Sequence, residues 1–211
     1  TSGTLTFAPD ETSQTITVAI IGDTVFENTE TFNVNLSTPG NALITTGVAT
    51  GTIVNDEGTP TISFVNNDNG ATGGSASALE GNSGLTPIIF KVVLSNPSNE
   101  DITISYSTAD GTATLADSDY VQATGTVTIL AGQTEALITI NAVGDTKFEV
   151  DETFTLNATV TSGNVTGNAS FIGTATILND DSEPMITISG NSQNEGNSGS
   201  TNMVFTVTLS N

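Results

Sequence analysis

Two stretches of the chain carry acids at a density that could bind a metal ion. Residues 143–154 read VGDTKFEVDETF and hold four acids within eight positions, with Lys147 as the one positive charge among them. Residues 21–32 read IGDTVFENTETF and repeat the pattern. Carboxylates this close repel one another unless a cation neutralises them, and calcium takes about six to eight oxygen ligands. We call residues 143–154 the acidic loop and predict that it is the centre of a calcium site.

The composition limits the other functions that the chain could have. It has 23 Asp and Glu against two Lys, no His and no Cys, which gives a net charge of −21. Such a charge argues against nucleic acid or an anionic membrane as a direct partner. With neither His nor Cys, no nucleophile and base can be paired, so we predict that the chain is not an enzyme. Aromatic residues make up only 5% of the chain, so no platform for a sugar ring is evident.

Internal repeats set the domain organisation. The acidic loop matches residues 21–32, residues 176–180 (TILND) match residues 52–56 (TIVND), and residues 195–199 match residues 80–84 (EGNSG). Repeats of this kind indicate a tandem array of similar units. We therefore predict the back part of one repeat at 1–58, a complete repeat at 59–182 and the front part of a third at 183–211.

Alternation of apolar and polar residues predicts an all-β fold. Short β-branched and aromatic runs are separated by Gly, Asn, Asp and Pro, and no helical period is present. Seven strands in one repeat favour tandem seven-stranded antiparallel Greek-key sandwiches of the immunoglobulin-like type. The front piece should supply the last four strands of such a unit and the final piece the first two. For the complete repeat the predicted strands are 61–65, 88–94, 102–108, 125–130, 136–143, 153–160 and 170–178.

Successive loops of an antiparallel sandwich alternate between its two ends. On that basis eleven acids of the complete repeat fall at one end and three at the other, a sorting that a solvated surface does not require. Asp110 precedes Gly111 and could also serve a turn. We expect Asp119 to bond the local backbone beside a packed Tyr120, and Phe148 to fill the core beneath the acidic loop. Asp151 and Lys91 are expected to be solvated.

The complete repeat resembles the Calx-beta domain, known from sodium–calcium exchangers and from bacterial surface proteins. The resemblance is carried by Glu80-Gly81, residues 110–113 (DGTA), residues 118–120 (SDY), the acidic loop and residues 176–181 (TILNDD). It departs in three places: Gly144 and Asn179 stand where the strongest calcium binders carry Asp, and the charge of Lys147 lies inside the cluster. These departures imply fewer ions or a weaker site. The resemblance implies calcium ligands at Glu80, Asp110, Asp145, Glu149, Glu152, Asp180 and Asp181, and by repetition at Asp23, Glu27, Glu30, Asp56, Glu57 and Glu195.

These observations predict a calcium-binding structural repeat of a large secreted or cell-surface protein, with a bacterial setting implied by the resemblance. Calcium would stiffen the ends and junctions of the domains, as in a fibre, a stalk or an adhesin scaffold. The expected partners are calcium ions and neighbouring repeats of the same chain or of like chains. The alternatives are a ligand-binding, lectin-like adhesin module and a calcium sensor domain.

The two partial repeats allow two interpretations. The favoured one is that the chain is a window from a longer array of repeats. The other is head-to-tail strand donation, in which 183–211 of one molecule completes 1–58 of the next. Strand donation expects Phe205 and Val207 to pack on Ile16 and Phe32 of a neighbouring molecule. Packing of 1–58 on 183–211 within one molecule would contradict both interpretations.

Overall fold

A computed structural model describes residues 2–65, 74–167 and 169–210. Regular structure in this part of the chain consists of β-strands. No helix in it has the length and apolar character needed to span a bilayer. The strands are β1 (Glu30–Asn35), β2 (Val48–Ile53), β3 (Ile62–Val65), β4 (Ser75–Leu79), β5 (Gly84–Leu94), β6 (Ile102–Asp110), β7 (Thr124–Ile129), β8 (Glu135–Gly144), β9 (Glu152–Ser162), β10 (Ser170–Leu178), β11 (Ile186–Ser189) and β12 (Thr206–Leu209).

Strands β3 to β10 form two sheets that enclose one core. One sheet has the order β3-β5-β8, and the other has the order β4-β10-β9-β6-β7. Their inner faces share one apolar cluster, so the unit is a β-sandwich. As expected, the core consists mainly of Val, Ile, Leu and Phe, because alternate positions of each strand point inward. The most deeply buried members are Ile88, Phe90, Val92, Ile102, Ile104, Ile129, Ile140, Phe154 and Leu156.

All seven strands predicted for the complete repeat are present, but the predicted number is wrong. The structure adds an eighth strand, β4, which pairs in parallel with β10. Its sequence, Ser-Ala-Ser-Ala-Leu, has none of the β-branched or aromatic residues that mark a strand. Pairing with β10 holds it in place, with Ala78 opposite Ile177 and Leu79 opposite Leu178. The chain therefore passes from the β3 sheet to the β10 sheet before it reaches Glu80.

The flanking pieces form only some of their predicted strands. Residues 3–7 and 16–20 were expected as strands but have no strand structure. Their counterparts in the complete repeat are β7 and β8, and those strands pair only with β6 and β5 respectively. Residues 1–58 contain no copy of β5 or β6, so these segments lack a strand to pair with. Strands β1 and β2 do form, because each is the partner of the other.

Residues 183–210, predicted to belong to the front part of a third repeat, contain one pair of strands. Strand β11 pairs with β12, and Ile186 lies opposite Leu209. The same pairing joins Ile62 to Leu94 in the complete repeat. Both strands are exposed along their whole length, and Phe205 and Val207 are more than half exposed.

Candidate metal centre

Glu80 reaches the acidic end of the sandwich because β4 runs parallel to β10. Parallel strands end at the same edge of a sheet, so Glu80 emerges beside the residues that follow Leu178. The Glu80 N–H donates to the Leu178 carbonyl (3.1 Å), and the Gly81 N–H donates to Oδ1 of Asp180 (3.2 Å). The Glu80 carbonyl in turn accepts from the Thr86 hydroxyl (2.9 Å). Backbone bonds therefore fix Glu80 before any ion is considered.

A first group of three carboxylates lies at this edge. One oxygen each from Glu80, Asp180 and Asp181 lies within 4.8 Å of the others. Glu80 is 4% exposed. Burial, followed by repulsion from Asp145 and Glu149, raises the pKa of Glu80 to about 7. Oε1 of Glu80 and Oδ2 of Asp181 are buried and have no hydrogen-bond partner among the residues that the structure describes. A buried carboxylate oxygen without a partner costs free energy until a proton or a cation meets it.

A second group adjoins the first. It joins one oxygen each from Asp119, Glu149 and Glu152, again within 4.8 Å of one another. Burial raises the pKa of Glu152 to about 7, aided by a hydrogen bond with Asp119 and by repulsion from Asp119 and Glu149. Lys147 forms an ion pair with Glu149, which raises the pKa of Lys147. The negative charge of Glu149 is thus already paired with the ammonium group of Lys147.

Asp119 was predicted only to bond the backbone, and it does so, but it also belongs to this second group. Its Oδ2 accepts from the Thr114 N–H (2.7 Å), and its carbonyl accepts from the Val143 N–H (2.9 Å). The adjacent Tyr120 is 3% exposed and stacks on Phe154 with ring centroids 4.3 Å apart, which confirms it as a packing anchor. The stacking of Tyr120 on Phe154 of β9 is what brings Asp119 beside Glu152.

Residues 110–113 bring the β6 end against the start of β9. The Thr153 N–H donates to the Thr112 hydroxyl (2.7 Å), and the Ala113 N–H donates to the Thr153 carbonyl (2.9 Å). A Cβ on Gly111 would lie 2.3 Å from the Thr153 carbonyl oxygen, so only glycine allows this approach. The contact fixes the backbone next to Glu152.

Asn179 joins the acidic loop to the exit from β10. Its Oδ1 accepts from the Glu149 N–H (3.1 Å), and its Nδ2 donates to the Asp181 carbonyl (3.0 Å). Its own N–H donates to Oδ1 of the exposed Asp151 (3.1 Å). Both ends of the amide are used, so Asn179 holds two candidate ligands, Glu149 and Asp181, in register.

The structure also explains why position 144 is a glycine. A Cβ at this position would lie 2.1 Å from the Gly81 carbonyl oxygen and 2.6 Å from that of Glu80. Any side chain would therefore push the Glu80 segment away from the end of β8. Two of the three departures from the family pattern, Gly144 and Asn179, thus shape the backbone of the site instead of supplying ligands.

The remaining expected ligands of the complete repeat lie outside the two groups. Asp110 accepts from the Tyr120 hydroxyl (2.5 Å) and from the Leu115 N–H (3.3 Å). Oδ1 of Asp145 accepts from the Lys147 N–H (2.7 Å), although the carboxylate is near enough to raise the pKa of Glu80. Phe148 was expected to fill the core, and that is wrong, because the side chain is 40% exposed.

The first copy of the acidic loop repeats several of these bonds. Oδ1 of Asp23 accepts from the Val25 N–H (2.8 Å), and Asn55 accepts from the Glu27 N–H (3.0 Å) and donates to the Glu57 carbonyl (2.7 Å). Loss of solvation, followed by repulsion from Asp23, Glu30 and Glu57, raises the pKa of Glu27. None of the ligands expected in the flanking pieces belongs to either carboxylate group: Asp23, Glu27, Glu30, Asp56, Glu57 and Glu195. Glu195 is exposed, although its carbonyl accepts from Thr201 (3.1 Å) as that of Glu80 does from Thr86.

The donor atoms of the two groups fit a hard cation. Every candidate ligand is a carboxylate oxygen, the type that calcium and magnesium prefer and that softer metals do not select. Two of these oxygens are buried without a partner, which is the condition that a bound cation would relieve. Among the described residues, these are the two groups of three or more acids close enough to share an ion.

Comparison with known proteins agrees with the sequence motifs. The model of the Calx-beta domain family matches residues 1–57 and 66–182. The crystal structure of the apo form of the Calx CBD1 domain is 25% identical, has a TM-score of 0.46, and covers 59% of this chain and 100% of its own.

The crystal structure of the calcium binding domain CBD12 of CALX1.1 is 26% identical with a TM-score of 0.46, and the match covers 61% of this chain and 50% of that one. The crystal structure of CBD12 from CALX1.2 is 27% identical with a TM-score of 0.45, and the match covers 57% of this chain and 44% of that one. No curated protein matches the chain. Because the family model matches most of its residues, the chain belongs to the Calx-beta domain family.

Proposed function

We propose that the complete repeat binds calcium at its acidic end. The observation that carries the proposal is the first carboxylate group, in which Glu80 and Asp181 each hold a buried oxygen without a partner. Such oxygens are rare in native proteins and each needs an explanation. A divalent cation explains both, since it would replace the hydration that the two carboxylates lose on folding. The pKa of Glu80, raised to about 7 by that burial, agrees with this reading.

Two sets of residues would hold the ions. Glu80, Asp180 and Asp181 would form one site, with Asp145 close to it. Asp119, Glu149 and Glu152 would form the other. A bound cation would neutralise the repulsion among these groups and tie together the ends of β4, β8, β9 and β10. Asp110 would not bind an ion directly. It would help to position the second site by accepting a hydrogen bond from Tyr120, the neighbour of Asp119.

Calcium bound there would serve a structural role in a secreted or cell-surface protein. The strand order β3-β5-β8 and β4-β10-β9-β6-β7 supports an immunoglobulin-like Greek-key unit, repeated in tandem. Asp180 and Asp181 lie on the short link to the next repeat, which Pro184 restricts further. An ion at Asp181 would therefore stiffen the junction as well as the domain.

Thermal unfolding of the full chain tests calcium binding. Both tyrosines, Tyr106 and Tyr120, lie in the complete repeat, so the tyrosine band of the near-ultraviolet circular dichroism spectrum reports on that repeat alone. Binding to the folded state adds about 2.7 kcal/mol at a hundredfold excess over Kd. We expect millimolar calcium to raise Tm by several degrees and magnesium by much less, because magnesium demands a tighter geometry and loses water reluctantly. Equal curves in calcium and in chelator would contradict the proposal.

Single substitutions separate a site from a diffuse negative field. Glu149→Gln and Asp181→Asn each remove one candidate ligand and should abolish most of the calcium response. Asp117→Asn is the matched control. Asp117 lies at the same end and its Oδ2 accepts from the Thr114 hydroxyl (3.1 Å), but it belongs to neither carboxylate group. Equal loss in all three variants would indicate a diffuse field.

Small-angle scattering tests the structural role. The full chain should become more extended and less variable in calcium than in chelator, because the link after Asp181 stiffens. Asp181→Asn should remove that difference. If calcium raised Tm but left the scattering profile unchanged, calcium binding would still stand and the stiffening role would be refuted.

A further inference from the structure

The first copy of the acidic loop contacts the complete repeat through its backbone. The Phe26 N–H donates to the Pro97 carbonyl (2.8 Å), and the Phe26 carbonyl accepts from the Asn99 N–H (3.0 Å). These two bonds form a parallel bridge to the β5–β6 loop, residues 95–101. Nδ2 of Asn28 adds a bond to Oε1 of Glu100 (3.0 Å). The edge of one repeat's acidic loop therefore docks on the β5–β6 loop of the following repeat.

The link between the repeats brings that loop into place. The Gly58 carbonyl accepts from Nδ2 of Asn96 (2.9 Å). Thr61 and Ser95 exchange two bonds of 3.0 Å, one from the Thr61 N–H to the Ser95 hydroxyl and one from the Ser95 N–H to the Thr61 carbonyl. Because these bonds hold residues 58–61 against 95–96, the next residues, 97–99, lie beside Phe26.

The junction after the complete repeat, around residues 179–185, repeats most of these hydrogen bonds. The bonds of Asn179 to Glu149 and Asp181 match those of Asn55 to Glu27 and Glu57. Beyond the link, the Met185 N–H donates to the Ser210 hydroxyl (2.9 Å) and the Ser210 N–H donates to the Met185 carbonyl (3.0 Å). These two bonds reproduce those between Thr61 and Ser95.

One contact of the first junction has no copy in the second. Phe148, the counterpart of Phe26, makes no backbone hydrogen bond in the described part of the chain and is 40% exposed. The neighbouring Val150 is 72% exposed. The third repeat runs in this sequence to Asn211, which matches Asn96, so a counterpart of residues 97–100 is not among the 211 residues.

We propose that the backbone edge at Phe148 is a docking surface for the β5–β6 loop of a following repeat of the same family. The Phe148 N–H and carbonyl take the roles of those of Phe26, and the exposed ring is covered by the docked loop. The acidic loop then has two functions, one in its carboxylates and one in its edge. The docking goes beyond calcium binding and does not require it.

Amide hydrogen exchange by NMR tests the docking in the full chain, extended after Asn211 by a copy of residues 97–182. This copy completes the third repeat. We expect exchange at the Phe148 amide to slow by about tenfold relative to the 211-residue chain, the effect of one added backbone hydrogen bond. Measurement in chelator and in calcium separates the two proposals, because slowing in chelator supports docking whatever calcium does.

A matched pair of variants in the added copy identifies the contact. Asn99→Pro removes the N–H that the bridge needs, whereas Asn99→Ala keeps it, so only the proline variant should restore fast exchange at Phe148. The same two variants can be made at the native Asn99 of the 211-residue chain. There Asn99→Pro should speed exchange at the Phe26 amide and Asn99→Ala should leave it slow, which provides a test if the extended chain does not fold. Unchanged exchange at Phe148 beside a folded third repeat, or slowing that grows with protein concentration, would overturn the proposal.

Discussion

Replacing Glu80 by Gln should stabilise the calcium-free repeat and weaken the calcium-bound one. The carboxyl is 4% exposed and its pKa rises from 4.5 to about 7 in the folded chain. At 1.36 kcal/mol per pKa unit the charged form costs roughly 3 kcal/mol at most. Relaxation and solvent around the neighbouring acids reduce this figure, so we expect the variant to gain about 1–2 kcal/mol at pH 8 in chelator.

The pH dependence has a definite sign. A carboxyl whose pKa is raised on folding contributes stability below its unfolded value of about 4.5, and that stability is lost as pH rises through about 7. The wild-type chain in chelator should therefore become more stable from pH 8 to pH 5, and Glu80→Gln should reduce that gain but not remove it, because the pKa of Glu152 is also raised to about 7. In calcium at pH 8 the order should reverse, because the wild type keeps its ligand.

Urea unfolding followed by the tyrosine near-ultraviolet signal measures both effects in the full chain. Glu195→Gln is the matched control, since Glu195 stands in the same Glu-Gly-Asn-Ser-Gly motif but is exposed. It should change stability by less than about 0.5 kcal/mol in either condition. If Glu80→Gln destabilised the chain at pH 8 in chelator, Glu80 would not be a strained buried charge and the reasoning would be refuted.

Two further substitutions address the residues that build the site. Asn179→Asp keeps an acceptor for the Glu149 N–H but loses the donor to the Asp181 carbonyl; Tm in chelator should fall by several degrees, and the rise in Tm on adding calcium should grow, because a ligand is gained. Gly144→Ala places a methyl against two backbone carbonyls and should cost about 2–3 kcal/mol by urea unfolding, whereas Gly132→Ala, at an exposed turn with no close neighbour, should cost about 1 kcal/mol through its positive φ of 77° alone. Equal costs at the two glycines would remove the close approach as an explanation.

The seven strands of the complete repeat could be predicted because alternation marks them, and strand β4 could not. Ser75–Leu79 alternates only Ser with Ala, without the β-branched or aromatic residues that mark a strand, and parallel pairing with β10 and the packing of Ala76 and Ala78 on the core hold it. The prediction gathered the acids by loop, so it placed Glu80 correctly at the acidic end without the strand that brings it there. Asp119 was assigned to the backbone because its neighbour Tyr120 was taken as an anchor alone. The stacking of Tyr120 on Phe154 is a tertiary contact that periodicity does not contain.

The flanking pieces show what a strand needs besides its own sequence. Residues 16–20 alternate as clearly as their counterparts in β8, yet they remain without strand structure. Strand β1 forms because β2 is present, in a register that places Glu30 opposite Ile53 as Glu152 lies opposite Ile177. A pattern therefore predicts which face a strand would bury, and the presence of its partner decides whether the strand exists.

The same reasoning explains how so many acids can stand at one end of the sandwich. The bonds that shape the acidic loop are made within the chain: Asn179 holds the loop to the β10 exit, and Gly144 lets Glu80 approach β8. The first copy keeps its equivalent bonds even though two of its four predicted strands are missing. The loop geometry is thus set by local hydrogen bonds, and the backbone holds the carboxylates close despite their mutual repulsion. A cation bound among them would relieve that repulsion.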